Sequence, residues 1–250
     1  MKSRLCVMAL FGCLLLGCQK SIETSTGDVT VKFVNLLEGA PLTLNTKAYK
    51  NPSGESYTVS KLRYYITNVQ LNSGSTGSAE GNSYHLVDVA SPGSETISFQ
   101  PEVNTYSSIE FLLGVDSLRN VSGAQTGALD PLNDMFWTWN SGYVMFKLEG
   151  NSPASPVVGN KFEYHIGGFS GPHNVLKKIR LDFAADKLAS IQKGENCEII
   201  IEAEINKLWQ APNPLSIAAT PVCTTPGAAA RKIADNYQNI FTLSDVINNK

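Results

Sequence analysis

The strongest constraint on this chain is a period of two. Short runs in which apolar and polar residues alternate recur along it, among them "VTVKFVN", "KLRYYITNVQL", "SIEFLLGVD", "GYVMFKLEG", "KFEYHIGG", "KKIRLDF" and "CEIIIEAEI". Gly, Pro, Asn and Ser bound nearly every run. Successive side chains of a strand point to opposite faces, so a run of this kind buries one face and wets the other. The pattern predicts an all-β fold, an antiparallel β-sandwich. "INKLWQAP" and "IADNYQNIFTL" add short helical turns near the C-terminus, and residues 72–82, "NSGSTGSAEGN", read as a flexible hairpin loop. No segment repeats at a fixed period, which argues against a propeller or solenoid. With 250 residues, 42% of them hydrophobic, the chain can build one sizeable core.

The first residues read as an address and not as part of that core. Lys2 and Arg4 precede the apolar stretch "LCVMALFGCLLLG", which is too short to span a bilayer comfortably. It ends in Leu15-Leu16-Gly17-Cys18, a step that resembles the lipobox of bacterial lipoproteins. The resemblance implies removal of residues 1–17, lipid on Cys18, and attachment to a membrane in the bacterial cell envelope, periplasmic or surface-exposed. Residues 18–28 then form the lipidated cysteine and a polar tether, and 29–250 form a single domain.

Several function classes find no support. A net charge of -2 with scattered lysines offers no basic stripe for nucleic acid. No Gly-rich phosphate loop, nucleophile elbow or zinc-protease helix motif is present, which argues against an enzyme. Asp116, Asp130 and Asp134 border one long loop without the order of a calcium-binding loop, and read as a solvated acidic segment. Once Cys6 and Cys13 leave with the signal and Cys18 carries lipid, only Cys197 and Cys223 remain. Two cysteines in an exported chain are expected to form one disulfide.

The stretch "MFWTWNSGYVMFKLEG", residues 135–150, asks whether Trp137 and Trp139 are packing or chemistry. "GYVMFKLEG" and "KFEYHIGG" flank a Pro/Gly/Ser loop and should pair antiparallel. A register that sets Glu149 opposite Lys161, Lys147 opposite Glu163 and Met145 opposite His165 makes two opposite-charge pairs. Val144, Phe146 and Leu148 then meet Phe162, Tyr164 and Ile166 on the core face. His165 and Met145 fall on the outer face, and continued parity puts Tyr143, Trp139 and Trp137 on the same side. That arrangement permits either a soft thioether and imidazole site suited to Cu(I), with His173 able to swing back as a further donor, or an aromatic surface of Trp137, Trp139 and Tyr143. His85 reads as an ordinary strand residue.

In order, "KLRYYITNVQL", "LLGVDSLRN", "LDPLNDMFWTWNSGYVMFKLEG" and "YHIGG" resemble the MbnP-like family of exported bacterial β-sandwich proteins, some of which handle copper. In copper-binding members a partner haem enzyme oxidises a tryptophan to kynurenine, which binds Cu(I) together with histidines. Carried over, the resemblance points to Trp139 or Trp137 as the modified ring, His165 as one ligand, copper as the cofactor and a di-haem peroxidase as the partner. Two departures qualify it. Such relatives have a second histidine in a Leu-Asn-His step, where this chain reads Leu118-Arg119-Asn120-Val121, and a cysteine after the His-Leu-Gly step, where it reads "HIGGFSGPHN". The expectation is a lipid-anchored, non-catalytic binding protein with the family copper site altered or lost. The alternative is a Cu(I) protein using His165 with Met145, His173 or an oxidised tryptophan.

Overall fold

The computed structural model describes residues 25–123, 125–140 and 142–249; the expected signal segment and lipidated Cys18 lie outside the described residues. The longer strands are β1 (Asp28–Leu37), β2 (Ser56–Ser73), β3 (Tyr84–Asp88), β4 (Ser108–Leu113), β5 (Gly142–Asn151), β6 (Lys161–Gly167), β7 (Lys177–Asp182), β8 (Asn196–Glu204) and β9 (Phe241–Asn249). One sheet runs β9-β8-β1, with Ala40–Pro41 and Thr96–Phe99 added to β1. The other is organised by the long strand β2, which pairs with β5 over 58–64, with β4 over 66–72 and with β3 over 63–67. β6 extends this sheet beyond β5, and β7 extends it beyond β4.

An all-β sandwich is what forms. Its sheets are mixed, because β1 and β8 run parallel from Asp28 opposite Asn196 to Leu36 opposite Glu204. Alternation does the work expected of it in β8, where Cys197, Ile199, Ile201 and Ala203 are buried and the residues between them are only partly so. The core between the sheets is rich in rings: Phe241 sits edge-on to Phe33, Phe111 and Tyr64, and Phe146 packs on Tyr64 and Tyr237. This explains one departure from expectation. The helix Ala228–Tyr237 stops before "IFTL", and Phe241 opens strand β9 because its ring completes that cluster.

The β5–β6 register is corrected by two residues. Lys147 faces His165, Glu149 faces Glu163 and Asn151 faces Lys161, with a bulge between Val144 and Phe146 that absorbs Met145. The expected charge pairs are worth only a fraction of a kcal/mol each. The connecting loop decides instead: the Ser152 N–H donates to Asn160 O at 2.8 Å, and the Ser155 hydroxyl to Lys161 O at 2.5 Å. From Phe146 to Asn151 the shift is even, so each residue there keeps its face; Phe146 and Leu148 join the core with Phe162, Tyr164 and Ile166.

The disulfide expectation is also corrected, since Cys197 and Cys223 are both free and buried. Cys197 lies in the second position of β8, whereas Cys223 pairs with Tyr164, whose ring packs on Trp209 beyond the far end of that strand. At roughly 3.3 Å per residue the two are on the order of 20 Å apart, and a disulfide tolerates a Cα separation under about 7 Å. Burial pushes both thiols up to about 11.

Candidate functional site: the outer face of β5 and β6

Alternation predicts that β5 is half-buried, yet Gly142 through Leu148 are all buried. One face lies in the sandwich core and the other beneath the segment 114–140. That segment leaves β4 at Gly114, whose φ of +120° suits glycine, and returns as Phe136–Trp137 paired with Tyr143 and Gly142. Buried polar groups fasten it down. Thr67 Oγ1 donates to Gly114 O at 2.8 Å, the Tyr65 hydroxyl to Ala128 O at 3.0 Å, and the Tyr143 hydroxyl to Leu129 O at 2.8 Å. Asn120 is the central fastening: its Nδ2 donates to Val115 O and Asp116 O, and its Oδ1 accepts the Tyr143 N–H at 3.0 Å.

Under this cover the sequence candidates separate. Met145 is fully buried, and its Sδ accepts the Val115 N–H at 3.1 Å. Tyr143 is fully buried as well, so it is not part of an aromatic surface. Trp137 is 8% exposed and packs against Gly167, where an added Cβ would come within 2.4 Å of the ring. It too belongs to the packing. Trp139 is 63% exposed and leans on Trp137 at 5.4 Å between centroids. Of the three expected surface rings, only Trp139 faces solvent.

His165 sits two residues before Gly167 on the same face, but its environment is ionic. Its Nε2 meets Glu149 Oε1 at 2.8 Å, and Lys61 Nζ approaches Glu149 Oε2 at 3.5 Å. The imidazole hydrogen bond, against the cost of burial and helped by Lys61, holds the Glu149 carboxyl below the usual range. Opposite His165 stands Lys147, only 2% exposed. Its ammonium donates to Asp134 O and lies 3.0 Å from Asp134 Oδ2, which Lys61 also reaches at 3.1 Å. Burial alone would raise the Asp134 carboxyl; hydrogen bonds from Lys147 and Lys61 outweigh it and leave the group below its ordinary value. Arg63 completes the network by gripping Asp88 at 2.8 Å and donating to Asn133 O at 2.9 Å.

The remaining candidates have local duties. His173 is exposed in the turn Gly171–His173. His85 lies in β3, with Nε2 2.8 Å from Glu80. The loop aspartates are not merely solvated: Asp116 caps the turn Ser117–Asn120 and accepts the Tyr84 hydroxyl at 2.6 Å, Asp130 accepts the Leu132 N–H, and Asp134 holds the lysines. Among the described residues no three His, Cys, Asp or Glu side chains come together as a metal site. Val121, where the family resemblance calls for a histidine, is a 68% exposed side chain without a donor atom. The donor set therefore fits copper poorly: the one imidazole on this face is engaged by a carboxylate, the thioether is sealed under a backbone amide, and a lysine stands across the strand.

Sequence reasoning missed Lys147 and Asn120. Lys147 carried a signal, as the charge set within the apolar run "VMFKLEG". Asn120 carried none, because a buried asparagine in a loop reads like any polar turn residue.

A family model described as MbnP matches residues 26–225. The structure of "MbnP from Methylosinus trichosporium" superposes with a TM-score of 0.52 at 14% identity, over 82% of this chain and 82% of that one, which is a likeness of fold. No significant match is found among curated proteins. The family match spans most of the domain, both sheets and the covered face alike, and on it the chain belongs to the MbnP family.

Proposed function

We propose that this chain is a lipid-anchored, non-catalytic binding protein of the bacterial cell envelope in which the family copper site has been altered or lost. The observation that carries the reading is the engagement of His165 by Glu149, itself held by Lys61, on a face whose second potential donor, Met145, is sealed beneath Val115. A low-coordinate Cu(I) site needs at least two soft or imidazole donors converging on one point. Here a hydrogen-bonded ion network occupies the ground between them. The exposed indole of Trp139 is the feature of this face through which a partner or ligand can be met.

A second reading has one observation in its favour. The Trp137 ring rests on Gly167, two residues from His165 on the same face, or about 7 Å along the strand. If a di-haem peroxidase oxidised that ring, the product and the imidazole would be neighbours, and copper held there would be soft-metal cargo bound by nitrogen and carbonyl donors.

Competition of Cu(I) between a chromophoric chelator and the protein, wild type against His165→Ala, separates the two. Loss of the site predicts no difference between them; a stoichiometric, His165-dependent site overturns the proposal. Anchoring rests on Leu15-Leu16-Gly17-Cys18. Cys18→Ser should move the protein from the membrane to the soluble fraction, and unchanged fractionation would refute the anchor.

A further inference from the structure

Lys147 is the most unusual residue of the outer face. It is a long cation, 2% exposed, in a strand whose other buried members are apolar or glycine. Burying a charge is costly unless a partner and hydrogen bonds compensate it. Its partner, Asp134, is not on the sheet at all; it belongs to the covering segment and has a left-handed backbone, φ 57°, that turns its carboxylate and carbonyl toward the lysine. The ammonium thus ties the covering segment to the strand that follows it, 13 residues on, as a bound metal ion can.

Its second property is its place in the ladder. Lys147 and His165 are direct cross-strand partners, whose Cβ atoms stand about 5 Å apart. That is the spacing at which two side chains on neighbouring strands share one ligand. A donor at residue 147 would complete a pair with His165, and a cation there opposes one. A unit charge about 6 Å from a monovalent ion lowers its affinity on the order of a hundredfold at an effective dielectric near 20. Asp134 and Glu149 offset much of this field, so the exclusion rests first on chemistry: across from His165 stands an ammonium, which has no lone pair to give a metal.

We infer that Lys147 is the specificity-determining residue of this face: its ammonium takes the position and the stapling role of a metal ion, tying the 114–140 segment to the sheet and excluding metal from His165. The inference rests on the reading that the family copper site is lost, and adds which residue enforces the loss. Lys147, more than the missing donor at Val121, keeps His165 metal-free.

The experiment is Cu(I) competition on six folded proteins: wild type, His165→Ala, Lys147→Met, Lys147→His, and each Lys147 variant combined with His165→Ala. Lys147→Met is close to isosteric and puts a thioether across from the imidazole. Lys147→His supplies a second imidazole in case the thioether packs inward, and far-UV circular dichroism with a thermal melt establishes that each variant is folded. The expected result is one Cu(I) per chain in at least one single variant, at least tenfold tighter than wild type and abolished by His165→Ala. A second readout follows the staple: loss of the ammonium should increase amide exchange over residues 128–136 in Lys147→Met without metal. Folded single variants that bind no better than wild type would overturn the inference while leaving site loss intact. Wild-type binding that depends on His165 would overturn both.

Discussion

Gly167→Ala tests how the tryptophan pair is built. The new Cβ would stand 2.4 Å and 2.7 Å from Trp137 ring carbons and 2.8 Å from Tyr143 O. The carbonyl belongs to a residue whose N–H is held by Asn120 and whose hydroxyl is held by Leu129, so the main chain is pinned and the ring must leave. A buried tryptophan removes about 200 Å² from water, worth roughly 5 kcal/mol at about 25 cal/mol per Å². Displacing the ring by half its width forfeits about half of that, and the pairing with Trp139 adds up to about 1 kcal/mol. The expected destabilisation is about 2–4 kcal/mol. Urea unfolding reads it as a lower midpoint at unchanged slope, and tryptophan emission of the folded variant should shift to the red as Trp137 becomes wet. Stability within about 0.5 kcal/mol of wild type, with unchanged emission, would refute the packing described for Trp137.

Asn120→Ala should cost about 2–4 kcal/mol, because it strands the buried Val115 carbonyl and Tyr143 N–H together; a near-neutral effect in urea titration would mean the segment is held elsewhere. Glu149 has a lowered folded-state pKa, so its contribution is present above the ordinary carboxylate value of about 4.5 and is lost as pH falls through the lowered one. Wild-type stability should therefore fall more steeply below about pH 4.5 than that of Glu149→Gln, and parallel pH profiles would contradict the pairing with His165. Cys197 and Cys223 should resist alkylation in the folded protein at neutral pH and both react in urea without reductant. Failure to label in urea would restore the disulfide.

The sandwich was legible because alternation survives wherever one face of a strand is wet, as in β8, and fails only where both faces are covered, as in β5. Face assignment was readable too, since parity is unaffected by an even shift of register. The register was not, because it is set by hydrogen bonds within the 152–160 loop and by a bulge at Met145, neither of which leaves a mark in apolar periodicity. The position of His165 follows from the sequence; its occupation by Glu149 does not, because the pair joins strands through a diagonal contact. The burial of Tyr143 and Met145 depends on a segment that crosses from another strand, an effect of tertiary structure on residues that look locally half-exposed.

Whether this face has exchanged a metal for an ion network is decided on protein taken from its native envelope. Copper per chain and the mass of the peptide 135–150 should be measured on the same preparation, purified without added metal or chelator. Copper well below one per chain and unmodified masses at Trp137 and Trp139 are expected. One copper per chain, with either tryptophan carrying the mass of kynurenine, would contradict the exchange.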